Sequence, residues 1–184
     1  MTNSTVDNVI AAEINVPLDV TLARSDERWT LVIRRQFRQA PERIWEMLTE
    51  PDQLARWSPV VPDRPLTLPG PATCRENPGD EPINATVITA DAPRLLLHHW
   101  GTDLLKWTIT PSDDGSILEL RQTFDDHSIA SSYAGGWQIC LGTLAANADG
   151  STHERVTGQR AMDYGWEQLR DFYHAEMEKM SAGE

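Results

Sequence analysis

Hydrophobic positions along this chain alternate with period two through several stretches and later change to helical spacing. Arg28-Trp29-Thr30-Leu31-Val32-Ile33-Arg34-Arg35-Gln36-Phe37 is rich in β-branched and aromatic residues. It reads as a strand with Leu31, Ile33, Arg35 and Phe37 on one face. Pro41 then opens a helix where a missing N–H costs nothing, with Glu42 in its first turn and Ile44, Trp45 and Leu48 on its apolar side. Pro51-Asp52 ends that helix and begins a second, short one carrying Leu54 and Trp57.

Residues 58–82 hold seven of the twelve prolines, so any strand there is short, interrupted or at an edge. Alternation resumes at Ala85-Thr86-Val87-Ile88 and turns at Asp91-Ala92-Pro93. It continues through Leu95-Leu96-Leu97-His98-His99-Trp100 and Leu104-Leu105-Lys106-Trp107-Thr108-Ile109. Asp113-Asp114-Gly115 is a hairpin signal, followed by Ile117-Leu118-Glu119-Leu120-Arg121-Gln122-Thr123-Phe124. These runs predict an antiparallel meander of at least three strands.

After Asp125-Asp126-His127 the period changes. Trp137, Cys140, Leu141, Leu144 and Ala148 recur at helical spacing, predicting a long helix that begins at Gly135-Gly136-Trp137 and closes at Asp149-Gly150. Met162, Trp166, Leu169, Phe172, Tyr173 and Met177 trace a final amphipathic helix over about 160–179, packed on the chain's own sheet or mediating a dimer. Residues 1–26 commit to neither helix nor strand, though Val16 to Leu22 alternates weakly enough to add a short edge strand. The expected organisation is an N-terminal extension over 1–26 and a single domain over 27–184.

Composition narrows the function classes. A length of 184 residues suits one core. A net charge of −12 argues against a general binder of nucleic acid or anionic membrane, since both need basic surface. Cys74 and Cys140 are far apart, with no metal or disulfide spacing, and the default is a pair of buried free thiols. The N-terminus lacks a signal-peptide pattern, and no apolar run reaches membrane-spanning length, so a cytoplasmic protein is expected.

The order of strand, two short helices, meander and long helix suggests an α+β helix-grip fold. Ala40-Pro41-Glu42-Arg43-Ile44-Trp45, with Leu48-Thr49-Glu50-Pro51 and Leu54-Ala55-Arg56-Trp57, closely resembles the opening of SRPBCC proteins of the activator-of-Hsp90-ATPase-homologue type. These are START-like, Bet v 1-like proteins. Pro93-Arg94-Leu95-Leu96 with Trp100 looks like their mid-sheet strand, and Gly115-Ser116-Ile117-Leu118-Glu119-Leu120 like their Gly-Thr-x-Leu-x-Leu strand. Ala134-Gly135-Gly136-Trp137 with Cys140-Leu141 and Leu144 resembles the start of their cavity-lining helix. The resemblance spans roughly residues 28–150. It implies a curved antiparallel sheet wrapped around the long helix, with a cavity between them. Two departures stand out: the proline-rich 59–82 replaces a glycine-containing hairpin, and Gln122 stands where many relatives carry histidine.

Alternation then nominates the cavity walls: Leu31, Ile33 and Arg35; Leu96, His98 and Trp100; Leu105, Trp107 and Ile109; Leu118, Leu120 and Gln122. The tryptophans to test as ligand contacts are Trp57, Trp100 and Trp107, and Trp137 and Leu141 lie on the helix side. The same side chains either line an open pocket or fill a solid core. Arg35 grips a ligand oxygen, forms an internal ion pair, or is exposed if the register slips by one. His98 is either a satisfied structural histidine or a ligand donor and general base. His98 and His99 fall on opposite faces of their strand, and His127, His153 and His174 show no ligand spacing, so no metal is expected. Ser128, Ser131 and Ser132 precede the long helix without a nucleophile elbow. No phosphate loop is present, and no cofactor is implied.

Three functions follow. The first is a binder of a small hydrophobic or aromatic molecule. The second is an enzyme of the polyketide cyclase or hydrolase type, which needs two or more polar groups, such as Arg35, His98 and Gln122, to converge on one point. The third, implied by the family resemblance, is a chaperone-linked interaction module.

Overall fold

The computed structural model describes residues 6–183. A six-stranded antiparallel sheet forms from β1 (Asp19–Ser25), β2 (Arg28–Phe37), β6 (Val87–Asp91), β7 (Leu95–Trp100), β8 (Asp103–Ser112) and β9 (Gly115–Phe124). Its order is β1-β2-β9-β8-β7-β6. Three strand stubs, β3 (Val61–Pro62), β4 (Thr73–Arg75) and β5 (Ile83–Asn84), pair as a separate small sheet in the proline-rich excursion. The helices are α1 (Asn8–Ile14), α2 (Pro41–Thr49), α3 (Pro51–Leu54), α4 (Ala130–Ala148), α5 (Arg160–Asp163) and α6 (Trp166–Ala182). No helix among the described residues is long and apolar enough to cross a membrane.

Alternation places the sheet faces as expected: Leu31, Ile33, Arg35 and Phe37 are all buried, and so are Leu118, Leu120, Gln122 and Phe124. On the outer face Glu119 accepts from Arg34 Nε and Arg121 Nε, each at 2.6 Å, a cross-strand charge ladder facing water. The long helix is the centre of the molecule. Fifteen of its nineteen residues are buried, because the sheet covers one side while α1 and α6 cover the rest.

Four expectations need correction. The long helix starts at Ala130, not Gly135, following a 3₁₀ turn over His127–Ile129 that Asp126 caps through Ser128 N–H. Ser131 and Ser132 are therefore inside it. The two glycines are interior, and Gly135 is where α6 crosses: a Cβ there would sit 3.1 Å from Arg170 N.

Residues 6–25 are built into the fold as a helix that was not expected and an edge strand that was, while residues 1–5 of the expected N-terminal extension lie outside the described residues. Asp7 caps α1 by accepting from Val9 N at 2.9 Å and Ile10 N at 3.3 Å, and β1 pairs along β2 from Asp19↔Arg34 to Ser25↔Arg28. With only Ile10 and Ile14 buried, α1 is too short to show a period.

The C-terminal pattern is two helices, α5 and α6, because Gly165 adopts a left-handed backbone (φ 85°) between them. Finally, α6 packs mainly on α4, where Tyr173 hydroxyl donates to Gln138 Oε1, and only Tyr173 and Met177 are buried. Phe172, expected on the apolar side, is 55% exposed.

Candidate functional site

Between β7, β8, α2, α3, α4 and the proline-rich excursion lies an apolar cavity of about 20 Å³, room for one water molecule. Of the residues nominated from sequence, Trp57, His98, Trp100, Leu105, Trp107 and Trp137 border it. Their rings explain its size. Trp107 meets Trp57 and Trp137 edge to face, with centroids 6.1 and 5.5 Å apart, and Trp137 meets Trp100 at 5.6 Å. Edge-to-face contacts of this kind are favoured by the ring quadrupoles. The tryptophans plug the space that the fold leaves.

Three of these indoles are tied down. Trp57 Nε1 donates to Met47 O at 2.9 Å, Trp107 Nε1 to His98 Nε2 at 3.1 Å, and Trp137 Nε1 to Gln122 Oε1 at 2.7 Å. Trp100, half-buried, has no partner for its indole N–H among the described residues and is held by contacts with Trp137 and Tyr133.

Arg35, Leu120, Gln122 and Leu141 are not among its walls, and neither are Leu31, Ile33, Leu96, Ile109 and Leu118. Arg35 is buried away from it, donating to Glu13 O at 2.9 Å and Glu13 Oε2 at 2.5 Å, so its internal ion-pair reading holds. Burial lowers its pKa and the adjacent Glu13 carboxylate offsets that. Leu120 and Leu141 are core residues, 0% and 1% exposed. Gln122 sits behind Trp137. The physical reason is packing: Arg35 on β2 is taken up by Glu13 of α1, and Gln122 on β9 by Trp137 of α4, away from the β7–β8 cavity.

Gln122 anchors a buried polar chain. Its Nε2 donates to Asp103 Oδ2 at 2.9 Å, and the same oxygen accepts from Tyr133 OH at 2.9 Å. Burial and the Asp103 carboxylate push the Tyr133 phenol pKa up. His98 is equally committed. An indole N–H can only donate, so Nε2 accepts and the proton lies on Nδ1, 3.1 Å from His99 O. Burial lowers its pKa to about 4. Arg35, His98 and Gln122 thus have separate protein partners and do not converge, and the catalytic constellation the enzyme reading requires is not assembled from them.

Sequence reasoning missed three contributors. The excursion supplies Leu66, Cys74 and Ala85 as walls, and the prolines that disqualified it as central sheet obscured this. Tyr133 was overlooked because it lies before the expected helix start. His99, assigned to the opposite face, also borders the cavity, and its buried Nδ1 has no partner among the described residues. Cys74 and Cys140 are free and buried, as the composition suggested, and burial pushes their thiols up to about 11 and about 12.

A curved antiparallel sheet gripping a long helix, with two short helices after the second strand, defines the START-like, Bet v 1-like class. Residues 38–149 match the family model described as activator of Hsp90 ATPase homolog 1-like protein, and the chain belongs to that family. No curated protein matches by sequence. Among solved structures the chain is similar to a conserved protein of unknown function, EF2215, from Enterococcus faecalis. The TM-score is 0.71 and the identity 15%, covering 94% of this chain and 96% of that one. It is also similar to CalU16 from Micromonospora echinospora, with TM-score 0.65, 16% identity, and 86% and 96% covered. A third is protein MLL2253 from Mesorhizobium loti, with TM-score 0.58, 20% identity, and 67% and 99% covered. At these identities the likeness establishes the fold alone.

Proposed function

We propose that this protein binds a small apolar or aromatic molecule between β7, β8 and α4, and that Trp100 is the side chain that yields to admit it. The observation that carries this reading is the cavity itself: an apolar space bordered by four tryptophans, of which Trp100 alone lacks a hydrogen bond. Apolar, aromatic walls with few polar groups are the usual makeup of small-molecule sites. About 20 Å³ holds no such ligand, so binding requires movement. The wall opposite the sheet is suited to that, being built from two- and three-residue strands rather than a continuous ladder. The unpaired Nδ1 of His99 favours a ligand with one polar group.

A library of hydrophobic and aromatic compounds, screened by tryptophan fluorescence and thermal shift, tests this. A hit should bind saturably, and Leu66→Trp, which fills the cavity from the excursion side, should abolish it. Trp100→Ala should bind at least as tightly as the parent. A library-wide absence of saturable binding, or hits indifferent to Leu66→Trp, would sink the reading.

A further inference from the structure

A second pocket, of about 340 Å³, lies on a different flank of α4, between the helix and the segment running through α5 to the start of α6. That volume falls in the range of small-molecule sites and far exceeds the tryptophan-lined cavity. Gly136 makes it possible. A Cβ at that position would find its nearest neighbour, Trp166 Nε1, 3.9 Å away, so the absent side chain leaves open floor beneath the indole. Much of the opposing wall comes from residues 156–166, beyond the 38–149 matched by the family. Much of the pocket is therefore built outside the segment that the family model matches.

Its chemistry is one-sided. Ile139, Cys140, Val156 and Met162 make it apolar, and Trp166 is held in place by the Arg170 guanidinium 5.1 Å over its ring. The Trp166 N–H has no partner among the described residues. Glu76 is the one charged residue in the wall, and no side chain bonds its carboxylate among the described residues; the neighbouring Arg155 guanidinium is turned to backbone carbonyls, donating to Glu76 O at 2.8 Å and Ser58 O at 3.3 Å. A chain of net charge −12 adds to the attraction for a cation at that rim.

We infer that this pocket is a binding site for a small arylalkylamine, its ring on the apolar floor, its ammonium at Glu76, and an oxygen substituent of the ring accepting from Trp166. Anions are disfavoured by Glu76, and the larger apolar surface excludes strongly hydrated ligands.

The test uses the full chain labelled with ¹³C at its methyl groups, titrated with 4-methoxybenzylamine, the neutral 4-methylanisole and the anionic 4-methoxyphenylacetate. The amine should shift the Ile139, Val156 and Met162 methyls saturably, with the anion about tenfold weaker. Glu76→Gln, at an exposed position where folding is not at risk, should weaken the amine about threefold and leave the neutral compound unchanged. Gly136→Leu should abolish all three, while the Leu54 and Leu66 methyls stay unmoved throughout. Equal affinity for amine and anion, or no saturable shift at Ile139, Val156 and Met162, would overturn the assignment. Shifts confined to Leu54 and Leu66 would also overturn it and would instead support the tryptophan-lined site.

Discussion

Trp107 donates its indole proton to Nε2 of His98 at 3.1 Å, and this one bond decides both the tautomer of the histidine and the position of a tryptophan that fills the cavity. A protonated His98 would point a second donor at the indole, and burial already disfavours the charge. In an unfolded chain an imidazole titrates near 6.5, and in this fold His98 does so at about 4. Between those values the unfolded chain binds the extra proton, so stability falls as pH drops. The stability is complete above about pH 6.5 and lost by about pH 4, a difference of about 3 kcal/mol. Urea titrations of the parent and of His98→Phe across that range should diverge in slope, with the variant flatter. Identical slopes would rule His98 out.

Gln122 is fully buried and joins Asp103 to Trp137. Replacing it with leucine keeps the volume, removes one of the two donors to the Asp103 carboxylate and takes the acceptor from the Trp137 indole. The expected loss is about 2–4 kcal/mol by chemical denaturation. If the polar chain acts as a unit, Gln122→Leu combined with Trp137→Phe should lose less than the sum of the two single changes.

Arg35 depends on Glu13 for both its charge partner and a backbone acceptor. Glu13→Ala leaves a guanidinium 4% exposed with no counter-charge, and should cost about 3 kcal/mol, measured as a fall in melting temperature. Arg35→Met in the same background should recover much of it. A negligible effect of Glu13→Ala would show that α1 does not depend on the pair.

Two glycines of α4 should respond oppositely to alanine. At Gly142 a Cβ would lie 2.7 Å from Ile14 Cγ1 and 2.8 Å from Ile14 N, so α1 must shift, at a cost of about 1–3 kcal/mol that exceeds the gain in helix propensity. At Gly136 the same change meets nothing closer than 3.9 Å and should stabilise by about 0.5–1 kcal/mol. Denaturation midpoints of the two variants check the contrast in sign.

Much of the architecture was legible because it rests on period. Leu31, Ile33, Arg35 and Phe37 alternate because a strand sends successive side chains to opposite faces. The meander from Leu95 to Phe124 is closed by turn chemistry written locally at Gly101 and at Asp113-Asp114-Gly115. The face of Arg35 was also readable from the alternation and, with that register, its need for a partner. Which partner was not, since Glu13 lies on a helix placed by contacts with distant parts of the chain, among them Gly142 against Ile14 and Gln138 Nε2 donating to Ile14 O.

The cavity divides the same way. Its aromatic residues follow from the strand and helix patterns that carry Trp57, Trp100, Trp107 and Trp137. Whether those rings line a space or fill it depends on angles and separations between elements distant in the chain, and period carries no information about them. Tertiary packing closed the middle of the sheet with α4, left about 20 Å³ at the β7–β8 side, and opened a larger pocket behind Gly136, where two consecutive glycines had marked only a helix. Local sequence sets which face of an element is apolar. What meets that face is decided by packing across the whole chain.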